Sequence, residues 1–426
     1  MSVNFKVIFC TALVVLTYNL VSAQAVKSPF SSFGIGDVYG SALVHNQGMG
    51  GIGYSQPQFL FLNNQNPALL PYNVFTVFQA GVVTEEVRLT DGTLSGKARA
   101  GNLNYLAIAF PLKFGKAATS LGIKPYSRVN YSFSYEEEVE NGSEGETFTA
   151  LEEGTGGLTE LYWNNGFKLN QYFNIGISTS YLFGNIIRSY DGFAKAPNQA
   201  LGFRVGIKDD TFYKGFSAAF GASFTLDSIG KNNNRFNVGA VYKLQSNLSS
   251  DLTTDLYMMN AISGDTVFSD RQRALNGTTN LPGSVGIGIS YGKDRKWNAG
   301  IDLTIQDWNT FRSVNDDDER NLTNSWRLAI GGEFIPDYLA LNYFKRVVYR
   351  TGISYEQLPF LVNGKNVTDF GINFGFSLPA GRSSIDLGFK TGRRGNVTDN
   401  LLRESYWKLY LGISLNDQWF IKRKFD

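Results

Sequence analysis

Residues 370–378 read Phe-Gly-Ile-Asn-Phe-Gly-Phe-Ser-Leu, and their two parities separate cleanly. Phe370, Ile372, Phe374, Phe376 and Leu378 fall on one side, and Gly371, Asn373, Gly375 and Ser377 on the other. A strand sends successive side chains to opposite faces, so this stretch has one apolar, aromatic face and one small or polar face. Trp407–Asn416 repeats the pattern, with Trp407, Leu409, Leu411, Ile413 and Leu415 against Lys408, Tyr410, Gly412, Ser414 and Asn416. Phe173–Gly184 and Val129–Tyr135 do the same. A soluble sandwich shows such alternation too, but seldom in so many segments of about ten residues, the length that crosses a bilayer when tilted.

Composition agrees with an exported membrane strand protein. The chain has 426 residues with 46 Gly, 33 Phe, 22 Tyr and 6 Trp, while charged residues make up only 18%. A net charge of +2 gives no basic field for nucleic acid. Met1–Ala23 carries Lys6 as its only charge, an apolar core at Val7–Leu16 and the small-residue end Val21-Ser22-Ala23. That is the pattern of a secretory signal peptide, with cleavage expected after Ala23 or, second, after Ala25. The single cysteine, Cys10, lies in this leader, so no disulfide and no thiolate metal site are expected. No later apolar run approaches the roughly 18–20 residues of a membrane helix.

Alternating segments recur at about 74–89, 101–112, 118–135, 156–169, 172–187, 213–227, 235–248, 283–292, 297–308, 324–335, 346–358, 367–379, 383–393 and 404–416. Their connectors mostly alternate between short turns, such as 170–171 and 380–382, and longer loops, notably 136–155, 188–212 and 249–282. Short turns on one side and long loops on the other is the pattern of bacterial outer-membrane barrels, and an even strand count returns both termini to the periplasm. The expected fold is all-β: a 14-stranded antiparallel transmembrane β-barrel with an N-terminal plug. Residues 1–23 are the signal peptide, 24–73 the plug, and 74–426 the barrel with a short basic periplasmic tail, Lys422–Lys424.

The plug is read from Asn46–Tyr72, NQGMGGIGYSQPQFLFLNNQNPALLPY, which is rich in turn formers yet apolar at Phe59–Leu62, Leu69 and Leu70. Its apolar residues are expected inside the barrel, with Asn63, Asn64 and Asn66 bonded to polar lumen groups and Pro67 fixing the turn into the first strand. On the polar faces, Asp302, Arg327, Glu333, Arg350, Asp386 and Lys408 either line a charged path or pair to brace the wall. Gly122 and Pro125 interrupt the third segment, and Pro125 cannot donate to a ladder. A bulge, a kink or a local gap in pairing is expected there, unless Pro125 lies at the rim.

These features together resemble the FadL/TodX family of outer-membrane hydrophobic-compound transporters. The resemblance rests on Asn66-Pro67-Ala68 just before the first strand, Phe110-Pro111-Leu112, Leu281-Pro282, Asp302 with Trp308, and Arg350–Tyr355. The opening Phe33-Gly34-Ile35-Gly36-Asp37 and the end Trp419–Lys424 look like the branch found in Bacteroidota. The resemblance implies a hatch-closed barrel that catches long-chain fatty acids or aromatic hydrocarbons in a groove of the loops after strands five and seven. It further implies that they pass a gap caused by a kink in strand three. Within 249–282, Leu256, Tyr257, Met258, Met259 and Ile262 could line such a groove, or pack the loop on the rim, and Arg271 or Arg273 could pair a carboxylate.

No catalytic constellation emerges. His45 is the only histidine and reads as a structural residue of the plug, an acyl hydrolase being the remote alternative. Asp316–Glu319 reads as a solvated charge run. Neither a cofactor nor a metal is expected. The expected function is passive uptake of hydrophobic compounds at the outer membrane, with outer-membrane lipid around the wall. The alternative is a partner subunit of a protein secretion machine, as in the related branch typified by PorV. An open porin is the third option, and the plug argues against it.

Overall fold

The computed structural model describes residues 27–138, 147–195, 203–230, 233–260, 263 and 265–418. The leader, Ile262 and the basic tail Lys422–Lys424 lie outside the described residues. The strands are β1 (Asp37–Val38), β2 (Thr76–Thr90), β3 (Ser95–Lys113), β4 (Ala117–Pro125), β5 (Ser127–Glu138), β6 (Thr147–Lys168), β7 (Phe173–Lys195), β8 (Phe203–Ile229) and β9 (Asn234–Lys243). They continue as β10 (Ser246–Asn260), β11 (Thr266–Leu281), β12 (Ser284–Lys293), β13 (Trp297–Gln306), β14 (Ser325–Phe334), β15 (Val348–Val362), β16 (Lys365–Ala380), β17 (Ser383–Arg394) and β18 (Arg403–Asp417). β4 with β5, β9 with β10 and β11 with β12 each form one wall strand interrupted by a residue or two, so the wall is a closed antiparallel barrel of fourteen strands. Closure is made by β18 on β2, from Arg403 opposite Thr90 to Asp417 opposite Thr76. In a bilayer, closure pairs the first wall strand with the last, so neither is left as an open edge facing lipid.

The alternation of 370–378 reads out as expected. Phe370, Phe374 and Phe376 are exposed on the outer surface, while Asn373 and Ser377 are buried inside. Val129–Tyr135 is inverted: Val129 and Tyr131 point inward and join an apolar cluster with Ile35, Leu182, Tyr213 and Trp308. The reason is a one-residue slip. β4 pairs β6 with Pro125 opposite Thr159, whereas β5 pairs β6 with Val129 opposite Gly156, so the faces exchange across Tyr126. Gly156 and Gly157, at φ +113 and +141, accommodate the bulge on the facing strand.

The long connectors are largely strand. β5 and β6 extend into 136–155, β7 and β8 into 188–212, and β10 pairs with both β8 and β11 throughout most of 249–282. Strands β5–β8, β10 and β11 thus rise above the others as a tall rim, opposite a base of short turns. In β11 the run Thr266–Ala274 is exposed on both faces, so it carries no apolar parity for a sequence reading to find.

A barrel this wide leaves more interior than its wall side chains fill. The N-terminal residues occupy it: Val44, Met49, Ile52, Leu62, Leu69 and Leu70 are all buried.

Candidate functional site

Among the described residues, the ladder between the second and third wall strands is interrupted part-way up. β3 pairs with β4 from Leu106 opposite Ile123 down to the Lys113 turn, but among the described residues its upper half, Ser95–Tyr105, pairs only with β2. β5, which continues the third wall strand past Pro125, pairs with β6 on one edge and on the other only with β1. Pro125 therefore stands where β4 leaves β3, and the slip at Tyr126 turns β5 away. Gly122 lies just below; a Cβ there would overlap the Tyr162 ring and the Leu106 carbonyl, so it lets Tyr162 reach under the break.

The N-terminal segment lines the free edge of β5. Ser28 donates its N–H to the Asn130 carbonyl at 2.8 Å, and Tyr39 donates to the Tyr126 carbonyl at 2.8 Å. Asp37 and Val38 lie opposite Arg128 and Ser127. Charge fixes this arrangement. Arg394 places Nη1 2.9 Å from both Asp37 carboxylate oxygens and Nε 3.3 Å from Asp369, with Glu404 at 3.8 Å. Ser28 donates to Glu404 at 2.5 Å, and Lys408 pairs Glu85 at 2.7 Å. Planar guanidinium against carboxylate is the geometry that makes such pairs strong when water is excluded.

Further in, the segment is locked to the wall. Asp302 accepts the Gly53 and Tyr54 N–H groups at 2.6 and 2.9 Å, and Arg327 donates to the Gly50 carbonyl. Met49 packs so closely on Gly331 and Gly352 that a Cβ on either would overlap its backbone. Asn66 accepts from the Ala68 N–H at 3.0 Å and donates to the carbonyls of Tyr54 at 2.7 Å and Ala222 at 3.1 Å. Pro67 opens the 3-10 turn Pro67–Tyr72, and Gly166, Gly176 and Gly221 leave room for Asn66 and Pro67. Asn64 accepts from Asn164 at 2.7 Å, but Asn63 bonds within the segment, to Gly53 and Gln56.

The inward charges are braced. Arg350 pairs Glu333 at 3.1 Å, and Asp386 accepts from the hydroxyls of Ser377, Ser384 and Ser414. In the 3-10 turn Asp316–Glu319, Asp316 and Asp317 are exposed as expected of a solvated run, whereas Asp318 is buried beside the apolar cluster and paired to Arg188 at 2.8 Å. Above the segment lies a cavity of about 350 Å³, lined among others by Glu160, Lys243, Arg327, Glu356 and Lys390.

The rim residues are not brought together as one patch. Leu256, Tyr257, Met258 and Met259 are consecutive on β10, so the first and third face away from the second and fourth. Tyr257 donates to Asp191 at 2.5 Å, beside Arg204. Arg271 is exposed and 3.4 Å from Asp255, and Arg273 is exposed on β11 opposite Thr254. Asp37, Arg394 and Glu404 were not singled out by sequence reasoning. Their signal was available only weakly, as charges on inward parity at the ends of two strands and in the opening motif.

The architecture defines an outer-membrane-type barrel of the FadL and TodX kind. A FadL homologue from Pseudomonas aeruginosa superposes with TM-score 0.58 at 13% identity, covering 89% of this chain and 99% of that one. The toluene transporter TodX of P. putida gives 0.57 at 14%, covering 90% and 100%. The toluene transporter TbuX of Ralstonia pickettii gives 0.53 at 13%, covering 89% and 98%. No curated protein matches by sequence. A family model described as BamG matches residues 4–426, and the chain belongs to the BamG family.

Proposed function

We propose that the protein admits hydrophobic compounds, long-chain fatty acids or aromatic hydrocarbons, across the outer membrane, and that residues 24–73 act as the plug that closes it. The break between β3 and β5 carries this reading, because a lateral exit spares an apolar molecule the charged lumen. FadL-like barrels that share the fold include toluene transporters. Ligand caught at the rim displaces Ser28–Tyr39 from the β5 edge and leaves through the break. Val38 and Ser127 are cross-strand neighbours, so cysteines at both positions fit a disulfide. Oxidised Val38→Cys/Ser127→Cys protein is expected to lose fatty-acid uptake and regain it on reduction. Equal uptake in both states would sink the lateral route.

A second reading, a subunit beside another outer-membrane protein, is supported by the turn after β14, where Leu339, Leu341 and Phe344 are exposed at the base. Co-purification of a large protein partner, lost in Leu341→Ser/Phe344→Ser, would favour it.

A further inference from the structure

At the base, on the periplasmic side in the orientation proposed above, the outer surface of the N-terminal segment meets three turns around a cavity of about 110 Å³. Its apolar wall is Pro57, Phe59, Leu60 and Phe61 from the segment, with Ile335 and Tyr338 from the turn after β14 and Val348 at the start of β15. Three guanidinium groups stand at its edge. Arg295 stacks on both Phe59 and Tyr338, at 4.9 and 5.0 Å from the ring centres, and Arg382 lies 5.7 Å over Phe75. Arg346 is half-buried, and its Nε is buried with no hydrogen-bond partner among the described residues.

The two carboxylates of the cavity are already engaged, Glu333 by Arg350 at 3.1 Å and Asp294 by Arg235 at 3.0 Å. Among the described residues, none of Arg295, Arg346 and Arg382 has a carboxylate within ion-pair distance. Gln58, buried in the same lining, also keeps its amide Nε2 without a partner. An apolar recess edged by unpaired arginines and free N–H donors is the arrangement that takes an amphiphile with an oxyanion head.

The geometry points to a binding site here for the head-group end of a single-chain anionic amphiphile, its carboxylate or phosphate held by Arg295, Arg346 and Arg382 and its first methylenes against Phe59 and Phe61. Phe425-Asp426 of this chain has the same apolar-plus-anion chemistry but follows Lys422-Arg423-Lys424, whose like charge at the arginines makes it a weaker match than a lone anionic head group. The site does not depend on passage through the wall break, whose residues, above Leu106 on β3 and along β5, are not part of its lining.

The test uses full-length protein in phosphatidylcholine nanodiscs and a palmitate carrying a diazirine on a methylene near its carboxylate. Photolabel is expected on residues 57–61 or 335–348, and Arg295→Gln/Arg346→Gln/Arg382→Gln is expected to lower it at least tenfold. Arg382→Gln alone, at an exposed turn that leaves folding intact, is expected to lower it about threefold. Competition by palmitate alone assigns a free carboxylate as the ligand; competition by lysophosphatidic acid alone assigns a lipid phosphate. Hexadecanol, which lacks the anion, is expected not to compete. Label confined to the rim or lumen, equal label in the arginine variants, or equal competition by hexadecanol overturns the site.

Discussion

The two ends of the N-terminal segment are attached by different physics. Met49–Pro67 is interlocked with the wall: its backbone lies on wall glycines, and its N–H groups bond to Asp302 inside the barrel. Ser28–Tyr39 is fastened at the break by a two-residue strand, by Asp37 on Arg394 and Ser28 on Glu404, and by Phe33 stacked 4.6 Å from Phe360. Steric interlock yields only if the wall yields. Ion pairs and a short ladder need the wall to stay in place but not to move. They can therefore be exchanged for another polar partner or for water without repacking the barrel, at a cost set by how far water is excluded. On the lateral route proposed above, Met49–Pro67 is the anchor and Ser28–Tyr39, at the break, is the releasable end.

Disrupting the anchor is expected to have the largest effect. Gly352→Val drives a side chain into Met49 and Gly50, and overpacking of this kind costs about 3 kcal/mol. The variant is expected to melt earlier and to conduct ions in planar bilayers. Unchanged conductance would mean the segment does not close the lumen. Asn66→Ala removes three hydrogen bonds and leaves buried backbone groups unpaired, a loss of about 1–3 kcal/mol. It is expected to raise conductance in the same direction by less, and with Pro67→Ala the increase should approach that of Gly352→Val.

Loosening the releasable end separates the two. Asp37→Asn weakens one partner of Arg394 and leaves Asp369 and Glu404 in place, a change of about 1 kcal/mol. Amide exchange is expected to speed up across 28–39 and stay unchanged across 49–67. Equal acceleration of both would show a single cooperative unit and remove the distinction.

Much of the wall was legible because lipid outside and small polar groups inside impose a period of two, as at Phe370–Leu378. The same rule misread Val129–Tyr135, where a bulge exchanges the faces and an apolar cluster lies inside. It also missed the rim extensions, since β11 meets water on both faces. In the N-terminal segment, Asn66-Pro67-Ala68 could be read from its turn chemistry, and Pro125, which left a bulge, a kink, a gap or a rim position open, stands where β4 parts from β3. The Asp37–Arg394–Glu404 cluster could not be found that way. Arg394 and Glu404 face each other across β17 and β18, but Asp37 is 357 positions from Arg394, and only the packing of the N-terminal segment against the wall brings it to them.

His45 lies between the anchor and the releasable end, and gives the smallest expected effect. It is buried in the short helix Val44–Gln47, stacked 4.9 Å from Phe61, and neither ring nitrogen has a partner among the described residues. Burial first, and the Arg350 guanidinium second, hold its pKa well below 6.5. The folded segment thus keeps the ring neutral, whereas a released segment takes up a proton near pH 6.5. Protons therefore favour release: the contribution is complete above about pH 6.5 and is lost as pH falls below it, by at most about 1.4 kcal/mol per pH unit. Protection of residues 44–47 from exchange is expected to fall between pH 6.5 and 5.5 in the wild type and to stay level in His45→Phe, which keeps the stack and removes the titration. A wild-type profile as flat as that of His45→Phe would mean that this helix stays folded on the wall even when the end at the break lets go.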